Sequence, residues 1–458
     1  MKIIICGAGH SGVAIAEKLS QIGNEVTVID SSQKLIKRLA NKLDIRGVVG
    51  HGAHPDILEE AGAKETEILI AVTPSDEINM MACQIAHSLF EIPKRIARVR
   101  DKSYLNPSHQ DLFTSVNLPV NIIISPEREV AESVLRRFEL PGAIENVPFA
   151  DNNLKFLGIK IDEKCPIIET KISDLTKRFP DLNTVIVGLL RNGVLTTPKL
   201  NDKLIVGDIA YIICPTELAK RNLSIFGKGE EDARRVVLVG GGLIGEEVAL
   251  LIEKKTENIS LRIIENNQER AEYLSEKLEK SLIILGSGVD RDILKEAEIA
   301  NTEILISLTD SDETNFLSAA LAKSDGCKKI LALLNNKDFQ NLIESVDIGN
   351  FIDPKAITVS SILMHIRRGH IRRLHTLSDG SAEIIEGEVS ASSDMVGPTI
   401  QELDLPKGLR IGGIFRDNKV IMPQGDTKIK EGDYVTIFSI TDKVHDVEQF
   451  FRVSASYY

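Results

Sequence analysis

Short runs of apolar residues recur along the chain, and each is followed by a stretch of mixed polarity long enough for a helix. In the first 125 residues these runs predict six strands, at 2–6, 25–29, 47–50, 68–72, 96–99 and 121–124. Strands that alternate with amphipathic helices indicate βαβ units and a parallel sheet. The pattern therefore predicts a doubly wound α/β domain of the Rossmann type at the start of the chain.

The same pattern returns about half a chain later, and in both places a glycine-rich turn follows the first strand. The first turn is formed by Gly7, Ala8, Gly9, His10, Ser11 and Gly12. The second is formed by Gly240, Gly241, Gly242, Leu243, Ile244 and Gly245. Further along, residues 67–77 match residues 303–313 in the same order. Two GxGxxG turns with matching sequence downstream indicate a duplicated nucleotide-binding domain.

A smaller repeat follows each of these domains. Residues 188–193 and 413–418 have the composition of hairpin turns, and a Gly-Asp pair lies at the same distance after a proline in both copies, at 207–208 and 432–433. We therefore predict two Rossmann-like parallel-sheet domains, each followed by a small α+β domain. The predicted boundaries are 1–125 for Rossmann domain one, 126–145 for a crossover helix and linker, 146–217 for small domain one, 218–232 for a linker, 233–353 for Rossmann domain two, 354–372 for a second crossover helix and 373–458 for small domain two.

Residues that could contact a nucleotide lie at the ends of the strands in the first copy. Glycines let backbone N–H groups and a helix N-terminus approach a pyrophosphate. Asp30 follows the second strand at the distance expected for an acid that accepts from the ribose 2′-hydroxyl. The same carboxylate would repel a 2′-phosphate by about 4 kcal/mol at ~4 Å, which disfavours NADP. Thr73 and Pro74 follow the fourth strand, and Arg98 and Arg100 alternate so that both could reach a phosphate.

The second copy keeps only some of these predicted nucleotide contacts. Glu265 takes the position of the ribose acid, and Thr309 with Asp310 replaces the Thr-Pro pair. Aligning 94–100 with 328–334 places apolar residues where both arginines stand. We therefore expect two unequal sites, the second lacking a cation for a terminal phosphate and holding NAD or ADP weakly. A packed second domain without any ligand is the alternative.

Composition narrows the classes of function. The chain has 458 residues and a net charge of −12, which disfavours nucleic acid as a partner. Five scattered cysteines without a CxxC pair indicate a reducing compartment and predict neither disulfides nor a zinc site. No apolar run approaches the ~20 residues needed to span a bilayer. We expect a soluble cytoplasmic protein with no metal site.

In these motifs the chain resembles the TrkA family, the RCK (KTN) regulatory subunits of bacterial Trk potassium uptake systems. The resemblance rests on the order of the four domains, the GAGHSG turn with Asp30, the Thr73-Pro74 segment, the segment 96–100 and Ser125-Pro126-Glu127. It implies RCK nucleotide-binding domains each followed by a TrkA-C domain, with NAD(H) and ATP or ADP as ligands. It also implies a homotetrameric ring on the inner face of the cell membrane, docked on a TrkH/TrkG-type potassium channel subunit. Helix 126–138 would then cross between subunits.

Three other functions remain open at this stage. A tandem-Rossmann NAD-dependent oxidoreductase would need a positioned proton donor, and the segment 150–217, which has the size of a substrate domain, contains no histidine. A nucleotide-sensing subunit of another cation transporter would differ only in its partner. A purely structural scaffold is disfavoured by Asp30 and Arg98. We therefore expect a regulatory protein and not an enzyme.

Overall fold

The fold is described from a computed structural model. It describes residues 1–458 apart from 102, 115, 141, 180–181, 230–233, 256–258, 347, 367–370, 378–379, 441–446, 448 and 452–458. The end of the predicted linker (230–232), the residues 367–370 of the second crossover segment and the last residues of small domain two therefore lie outside the described residues. None of the helices in the described part of the chain is both long and apolar enough to cross a bilayer.

The first 125 residues form a six-stranded parallel sheet, as the apolar runs predict. Its strands are β1 (Lys2–Cys6), β2 (Glu25–Asp30), β3 (Arg46–Val49), β4 (Ile68–Ala71), β5 (Lys94–Arg98) and β6 (Ile122–Ile124). The helices are α1 (His10–Gln21), α2 (Gln33–Ala40), α3 (Pro55–Glu60), α4 (Asp76–Phe90) and α5 (Pro126–Glu139). The strand order β3-β2-β1-β4-β5-β6 reverses beside β1, which is the switch point where doubly wound sheets bind ligands.

Strand β1 shows why its sequence is a continuous apolar run. Ile3, Ile4, Ile5 and Cys6 are all buried, because helices cover both faces of a parallel sheet. An alternating apolar and polar sequence would leave one face of the strand without its packing partners. The core of this domain therefore fixes the position of the turn that follows Cys6.

An antiparallel five-stranded sheet follows. Its elements are β7 (Glu145–Phe149), β8 (Leu154–Lys160), α6 (Ile172–Arg178), β9 (Val185–Arg191), β10 (Val194–Thr196), β11 (Ile209–Pro215) and α7 (Ala219–Ile225). The strand order is β10-β9-β11-β8-β7. The stretch 218–232 was expected to be a linker, but it begins with α7. Ala219, Leu223 and Phe226 are buried in the core of this domain, and burial of these side chains holds the segment as a helix.

The second half repeats both architectures. The parallel sheet consists of β12 (Arg235–Val239), β13 (Ser260–Glu265), β14 (Leu282–Leu285), β15 (Ile304–Ser307), β16 (Lys329–Leu333) and β17 (Asn350–Ile352). Its helices are α8 (Leu243–Lys255), α9 (Gln268–Lys277), α10 (Arg291–Glu296), α11 (Asp312–Ser324), α12 (Lys337–Ser345) and α13 (Pro354–Ile366). The last sheet consists of β18 (Ile371–Thr376), β19 (Ala382–Glu388), β20 (Leu409–Arg416), β21 (Lys419–Ile421) and β22 (Tyr434–Ile440). The strand orders are β14-β13-β12-β15-β16-β17 and β18-β19-β22-β20-β21. The parallel sheet thus repeats the order of the first half.

The Gly-Asp pairs of the small domains carry a repeated ion pair. Arg191 donates two hydrogen bonds of 2.8 Å to the buried carboxylate of Asp208, and Arg416 donates two of 2.7 Å to Asp433. Each carboxylate also accepts from a backbone N–H three residues earlier. A buried carboxylate is tolerated only with such partners, so these acids stabilise the hairpins and are not free for chemistry.

The two sheets of the small domains pack against each other. The rings of Phe156 and Tyr211 stack at 5.6 Å, and Tyr211 lies 6.4 Å from Phe438 of the second small domain. These side chains belong to one apolar cluster that both domains share. The duplicated small domains therefore form a common core.

The helices that follow each Rossmann sheet are exchanged within the chain. Residues 1–129 and 354–366 form one compact unit, and residues 130–353 and 367–458 form the other. In the first unit α13 packs against α1, and the Ser361 hydroxyl donates to the Glu129 carboxylate at 2.8 Å. In the second unit the Arg137 guanidinium, near the end of α5, donates to the carbonyl of Phe351 in β17. The structure shows this exchange between the two halves of one chain; the crossover of helix 126–138 between subunits stays a prediction.

Candidate functional site

The first glycine turn connects β1 to the N-terminus of α1. Gly7 has φ +112° and lies so close to the backbone of residues 72–73 that a Cβ would come within 3.1 Å of it. At Gly12 a Cβ would lie 1.9 Å from the Gly7 carbonyl oxygen, so any side chain would break the turn. A Cβ on Gly9 would meet nothing within 4 Å, and the N-terminus of α1 has no side-chain cap. The N–H groups of Gly7 and Ala8 bond to the Ile29 carbonyl and to Asp30, so the part of the turn that can meet an anion is the uncapped N-terminus of α1.

Asp30 joins this turn to the end of β2. One carboxylate oxygen accepts from the N–H of Ala8 at 2.7 Å, and the other accepts from the N–H of Ser32 at 2.7 Å. A carboxylate has about four lone-pair positions, so two remain for the hydroxyls of a ribose. The acid that we predicted as a ribose acceptor thus also holds the glycine turn in place.

Thr73 occupies the turn after β4, where its polar groups bond within the protein. Its N–H and hydroxyl both donate to the Asn79 side-chain oxygen, at 2.8 and 2.7 Å. The Asn79 amide donates in turn to the carbonyl of Arg98 at 3.0 Å. Pro74 is exposed next to this turn. The arrangement fixes the carboxyl ends of β4 and β5 relative to each other, and Thr73 acts through backbone geometry.

Arg98 and Arg100 share one carboxylate. Arg98 ends β5, while Arg100 lies two residues beyond it and not inside the strand as predicted. The Arg98 guanidinium bonds to Glu127 in the first turn of α5, and the Arg100 Nε lies 3.5 Å from the same oxygen. Two guanidinium groups on one carboxylate leave a positive charge at this edge of the sheet. A phosphate ligand at these arginines would therefore have to compete with the Glu127 carboxylate.

The second turn repeats the backbone geometry of the first. Gly240 has φ +97°, and a Cβ on Gly245 would lie 2.0 Å from the Gly240 carbonyl oxygen. Glu265 accepts from the N–H of Gly241 at 2.7 Å and from the N–H of Asn267 at 2.8 Å. Its longer side chain thus reproduces both hydrogen bonds of Asp30. At the start of α8, Leu243 is exposed and Ile244 follows it.

The turn after β15 is also equivalent to its counterpart in the first copy. Thr309 donates from its N–H and hydroxyl to Asn315 at 2.8 and 2.7 Å, and the Asn315 amide donates to the carbonyl of Leu333 at 2.8 Å. Asp310 is exposed at the position of Pro74. The hydrogen-bonded frame around both glycine turns is therefore the same.

Strand register corrects the alignment of the two copies at β5. Ile68 pairs with Lys94 in the first sheet, and Ile304 pairs with Lys329 in the second. The equivalent of Arg98 is therefore Leu333, and that of Arg100 is Asn335, one position later than the sequence alignment placed them. Our expectation that two apolar residues replace the arginines was wrong for Arg100, because the second copy is one residue shorter than the first before this strand and not two, as the sequence alignment implied. The polar Asn335 donates to Asp312 at 3.2 Å, and neither arginine has a charged counterpart.

An ionic cluster that the sequence analysis missed lies beside the second glycine turn. Arg270 donates from Nε to the Gly241 carbonyl at 2.7 Å and from Nη2 to the buried carboxylate of Glu246 at 2.5 Å. Lys277 donates to the other Glu246 oxygen at 2.7 Å, and this contact raises the pKa of the lysine. By alignment of the glycine turns and of the following strands, Glu246 and Arg270 occupy the positions of Val13 and Leu35.

This cluster changes the charge of the second site. We expected no cation there, but Arg270 places one on the glycine turn. Its charge is balanced by Glu246, whose side chain is 6% exposed. The pair joins residues 24 apart on α8 and α9, so no local spacing marks it; an acid in the first turn after the glycines was the one signal available.

The five cysteines of this chain are buried thiols. Cys6, Cys83, Cys165, Cys214 and Cys327 are all buried and free. Burial raises the pKa of Cys6 and of Cys214 to about 12. Because the thiolate is the nucleophile, these two groups are protonated and inert at neutral pH.

Comparison with known proteins identifies the family. The TrkA-N domain model matches residues 3–126 and 236–354, and the TrkA-C domain model matches residues 384–452. A Trk system potassium uptake protein TrkA from Azorhizobium caulinodans is 42% identical over 458 residues, covering 100% of both chains. Another from Halomonas elongata is 36% identical over 462 residues, again covering 100% of both.

Solved structures agree in fold. The RCK domain of GsuK superimposes with a TM-score of 0.61 at 17% identity, covering 98% of this chain and 94% of that one. The GsuK channel bound to NAD gives a TM-score of 0.60 at 17% identity, covering 98% of this chain and 78% of that one. With its duplicated TrkA-N domains and its full-length similarity to curated relatives, this chain belongs to the TrkA family of Trk system potassium uptake proteins.

Proposed function

We propose that this chain is the nucleotide-binding regulatory subunit of a Trk-type potassium uptake system, acting at the inner face of the membrane. In this proposal, Rossmann domain one binds NAD(H), ATP or ADP through residues 7–12, Asp30, the Thr73-Pro74 turn, Arg98 and Arg100. Four chains form a ring, and the ring regulates a TrkH/TrkG-type channel subunit. The ligand of the second turn (240–245, with Glu265, Thr309 and Asp310) is bound more weakly or not at all.

The observation that carries the proposal is the arrangement at the carboxyl edge of the first sheet. An uncapped helix N-terminus, an acid with lone pairs for a ribose and two arginines on one carboxylate lie along β1, β2 and β5. Each is a group that an adenine nucleotide uses: the amides and arginines for phosphate, and the acid for ribose. Support from outside the chain is the GsuK channel, which has the same fold and was solved with NAD bound.

Regulation follows from unequal binding to two conformations. A ligand that binds one arrangement of the ring better than another shifts the population by its difference in affinity. A coupling of about 1–3 kcal/mol, a bias of roughly 5- to 150-fold, is enough to switch a channel. The exchanged helices α5 and α13 connect the two halves of the chain and would carry such a change from one Rossmann domain to the other half.

The test has two parts. Calorimetric titrations with ATP, ADP, NAD and NADH compare the natural chain with Asp30→Ala and with Glu265→Ala, the matched change in the second copy. We expect Asp30→Ala to abolish binding of all four ligands and Glu265→Ala to leave the strongest site intact. Potassium flux through liposomes that contain the channel subunit then measures gating. Absence of any nucleotide binding, or flux that nucleotides do not change, would contradict the proposal.

A further inference from the structure

A cavity of about 510 Å³ lies inside the second compact unit, between the second Rossmann sheet and the first small domain. One wall is formed by the start of β16 and the residues before it, and the other by β8, β11 and the segment after α7. The start of β16 is the amino edge of its parallel sheet, whereas the glycine turn lies at the carboxyl edge. This cavity is therefore separate from the nucleotide site proposed above.

Positive charge dominates its lining. Six cationic side chains line the cavity: Arg137, Lys160, Lys228, Lys323, Lys328 and Lys329. Among the described residues of the lining, Glu145 is the single acid. The chain as a whole has a net charge of −12, so this concentration of lysines runs against its composition.

Some of these cations contact acids. Glu145 lies 3.3 Å from Arg137 and 3.5 Å from the His375 ring, and Lys228 bonds to Asp162. The described lining contains six cationic side chains and one acid, and the cations lie on both walls. Like charges across a cleft repel each other, and a multivalent anion between them would be attracted by both walls.

The duplicated half shows that three of these lysines do not follow from the fold, whereas Lys329 has Lys94 as its equivalent. Strand register makes Glu388 the equivalent of Lys160, since Ile209 pairs with Lys160 and Tyr434 pairs with Glu388. In the two Rossmann domains, His87 is the equivalent of Lys323 and Pro93 is the equivalent of Lys328. Three cations of the cavity thus have no cationic counterpart in the other half.

We propose that this cavity binds a small polyanion that carries two or more phosphate groups, with Lys160 on one wall and Lys323 and Lys328 on the other as its main contacts. The volume is within the roughly 300–1,000 Å³ of small-molecule sites. Tyr211 and Phe351 also line it and provide apolar surface for an organic part of the ligand. Such a ligand bridges the Rossmann domain and the small domain, which makes it a second effector beside the nucleotide of the glycine turn.

The test uses the full-length chain and two probes, inorganic tripolyphosphate and ATP. Calorimetry measures the binding of each probe at low salt and at about 0.5 M salt, where interactions between surface charges are largely screened. The charge-reversal variant Lys323→Glu/Lys328→Glu is compared with Lys407→Glu/Lys419→Glu, which changes net charge equally at exposed lysines of the second small domain. We expect tripolyphosphate affinity to fall at least tenfold in the first variant and less than twofold in the second. High salt should weaken binding to the natural chain.

Binding measurements on further variants distinguish this site from the nucleotide site. Asp30→Ala should leave tripolyphosphate binding unchanged, and its effect on NAD reports on the glycine turn alone. The neutral variant Lys323→Gln/Lys328→Gln, which adds no new charge, should give an intermediate loss of tripolyphosphate affinity, with circular dichroism to check that it folds.

Equal tripolyphosphate affinity in the cavity variant and its control, or no binding to the natural chain, would overturn the proposal. If ATP binds the cavity more tightly than tripolyphosphate, the ligand is a nucleotide; equal affinities indicate recognition of phosphate alone.

Discussion

The two Rossmann domains of this chain share a backbone frame and differ in the charges around it. Both have the same positive-φ glycine, the same carboxylate bonded to the turn and the same threonine–asparagine contact. The first copy adds two arginines at β5, while the second adds an acid and an arginine between its first two helices. The comparison teaches that the glycine turn and its acid recur with the fold, whereas the surrounding charges differ; in our proposal, these charges decide which ligand each copy binds.

The largest effect should come from the ribose acid of the first copy. Asp30→Ala removes acceptors for the ribose and releases the N–H of Ala8. Hydrogen bonds to a charged group contribute about 1.5–3 kcal/mol each, so we expect affinity for NAD and ATP to fall by roughly 100-fold or more. Calorimetry measures the loss, and Glu265→Ala is the matched control. Equal losses in both variants would show that the copies are equivalent.

Two variants at the arginine pair should change the affinity for ATP in opposite directions. Arg98→Ala should lower the affinity for ATP by about 10- to 100-fold, because a terminal phosphate loses a charge-assisted contact. The affinity for NAD should fall much less. Glu127→Gln removes the carboxylate that both arginines now contact and should tighten ATP binding several-fold. Titration of ATP and NAD against both variants checks this. An Arg98→Ala chain that binds ATP normally would assign the arginines to the Glu127 ion pair alone.

The ionic cluster of the second copy should matter for stability. Arg270→Leu removes one of the two cations that bond to the buried carboxylate of Glu246 in the ionic cluster, and we expect a loss of about 2 kcal/mol in the free energy of unfolding. The double variant Glu246→Val/Arg270→Leu copies the apolar pair of the first domain. Its free energy of unfolding should lie within about 1 kcal/mol of that of the natural chain, since replacing a buried ion pair by apolar residues is often neutral. Urea denaturation compares the three chains, and a double variant less stable than the single one would contradict this account.

The smallest effect concerns pH. Burial and the nearby Lys94 lower the pKa of His365 in α13 below its ordinary value of 6.5. The unfolded chain therefore binds this proton more readily, so the contribution to stability is present above pH 6.5 and is lost as pH falls through the lowered pKa. Because the ring is half-buried, we expect less than about 1 kcal/mol after solvent screening. Denaturation at about pH 7.5 and about pH 5.5, on either side of the ordinary histidine pKa, should show a smaller difference for His365→Asn than for the natural chain.

The sequence was sufficient wherever periodicity or a short motif carried the information. Continuous apolar runs located β1 to β6 to within about two residues at each end, because strands buried on both faces leave no other pattern. The two GxGxxG turns and their acids were found because their spacing is set by one βαβ unit. These features are local, and the physical reason for each lies within a few residues of the chain.

The features that the sequence did not reveal depend on contacts between distant residues. The Glu127 partner of both arginines and the Glu246–Arg270 pair are brought together by the sheet and by neighbouring helices. The alignment of Arg100 failed because the second copy is one residue shorter before β16 and not two, a difference that only strand register reveals. Helix α7 was taken for a linker because its polar residues mask the buried ones. Residues 354–372 were predicted as a crossover helix, but no local pattern indicates that α13 joins the first Rossmann domain.

The central claim, that one chain carries two unequal nucleotide sites on the same frame, is tested most directly by counting sites. Calorimetric titration of ATP into the natural chain, Asp30→Ala and Glu265→Ala should give one tight site per chain, absent in the first variant and retained in the second. Any further ATP binding that Lys323→Glu/Lys328→Glu removes belongs to the lysine-lined cavity. Two sites of equal affinity, each lost with its own acid, would contradict the account.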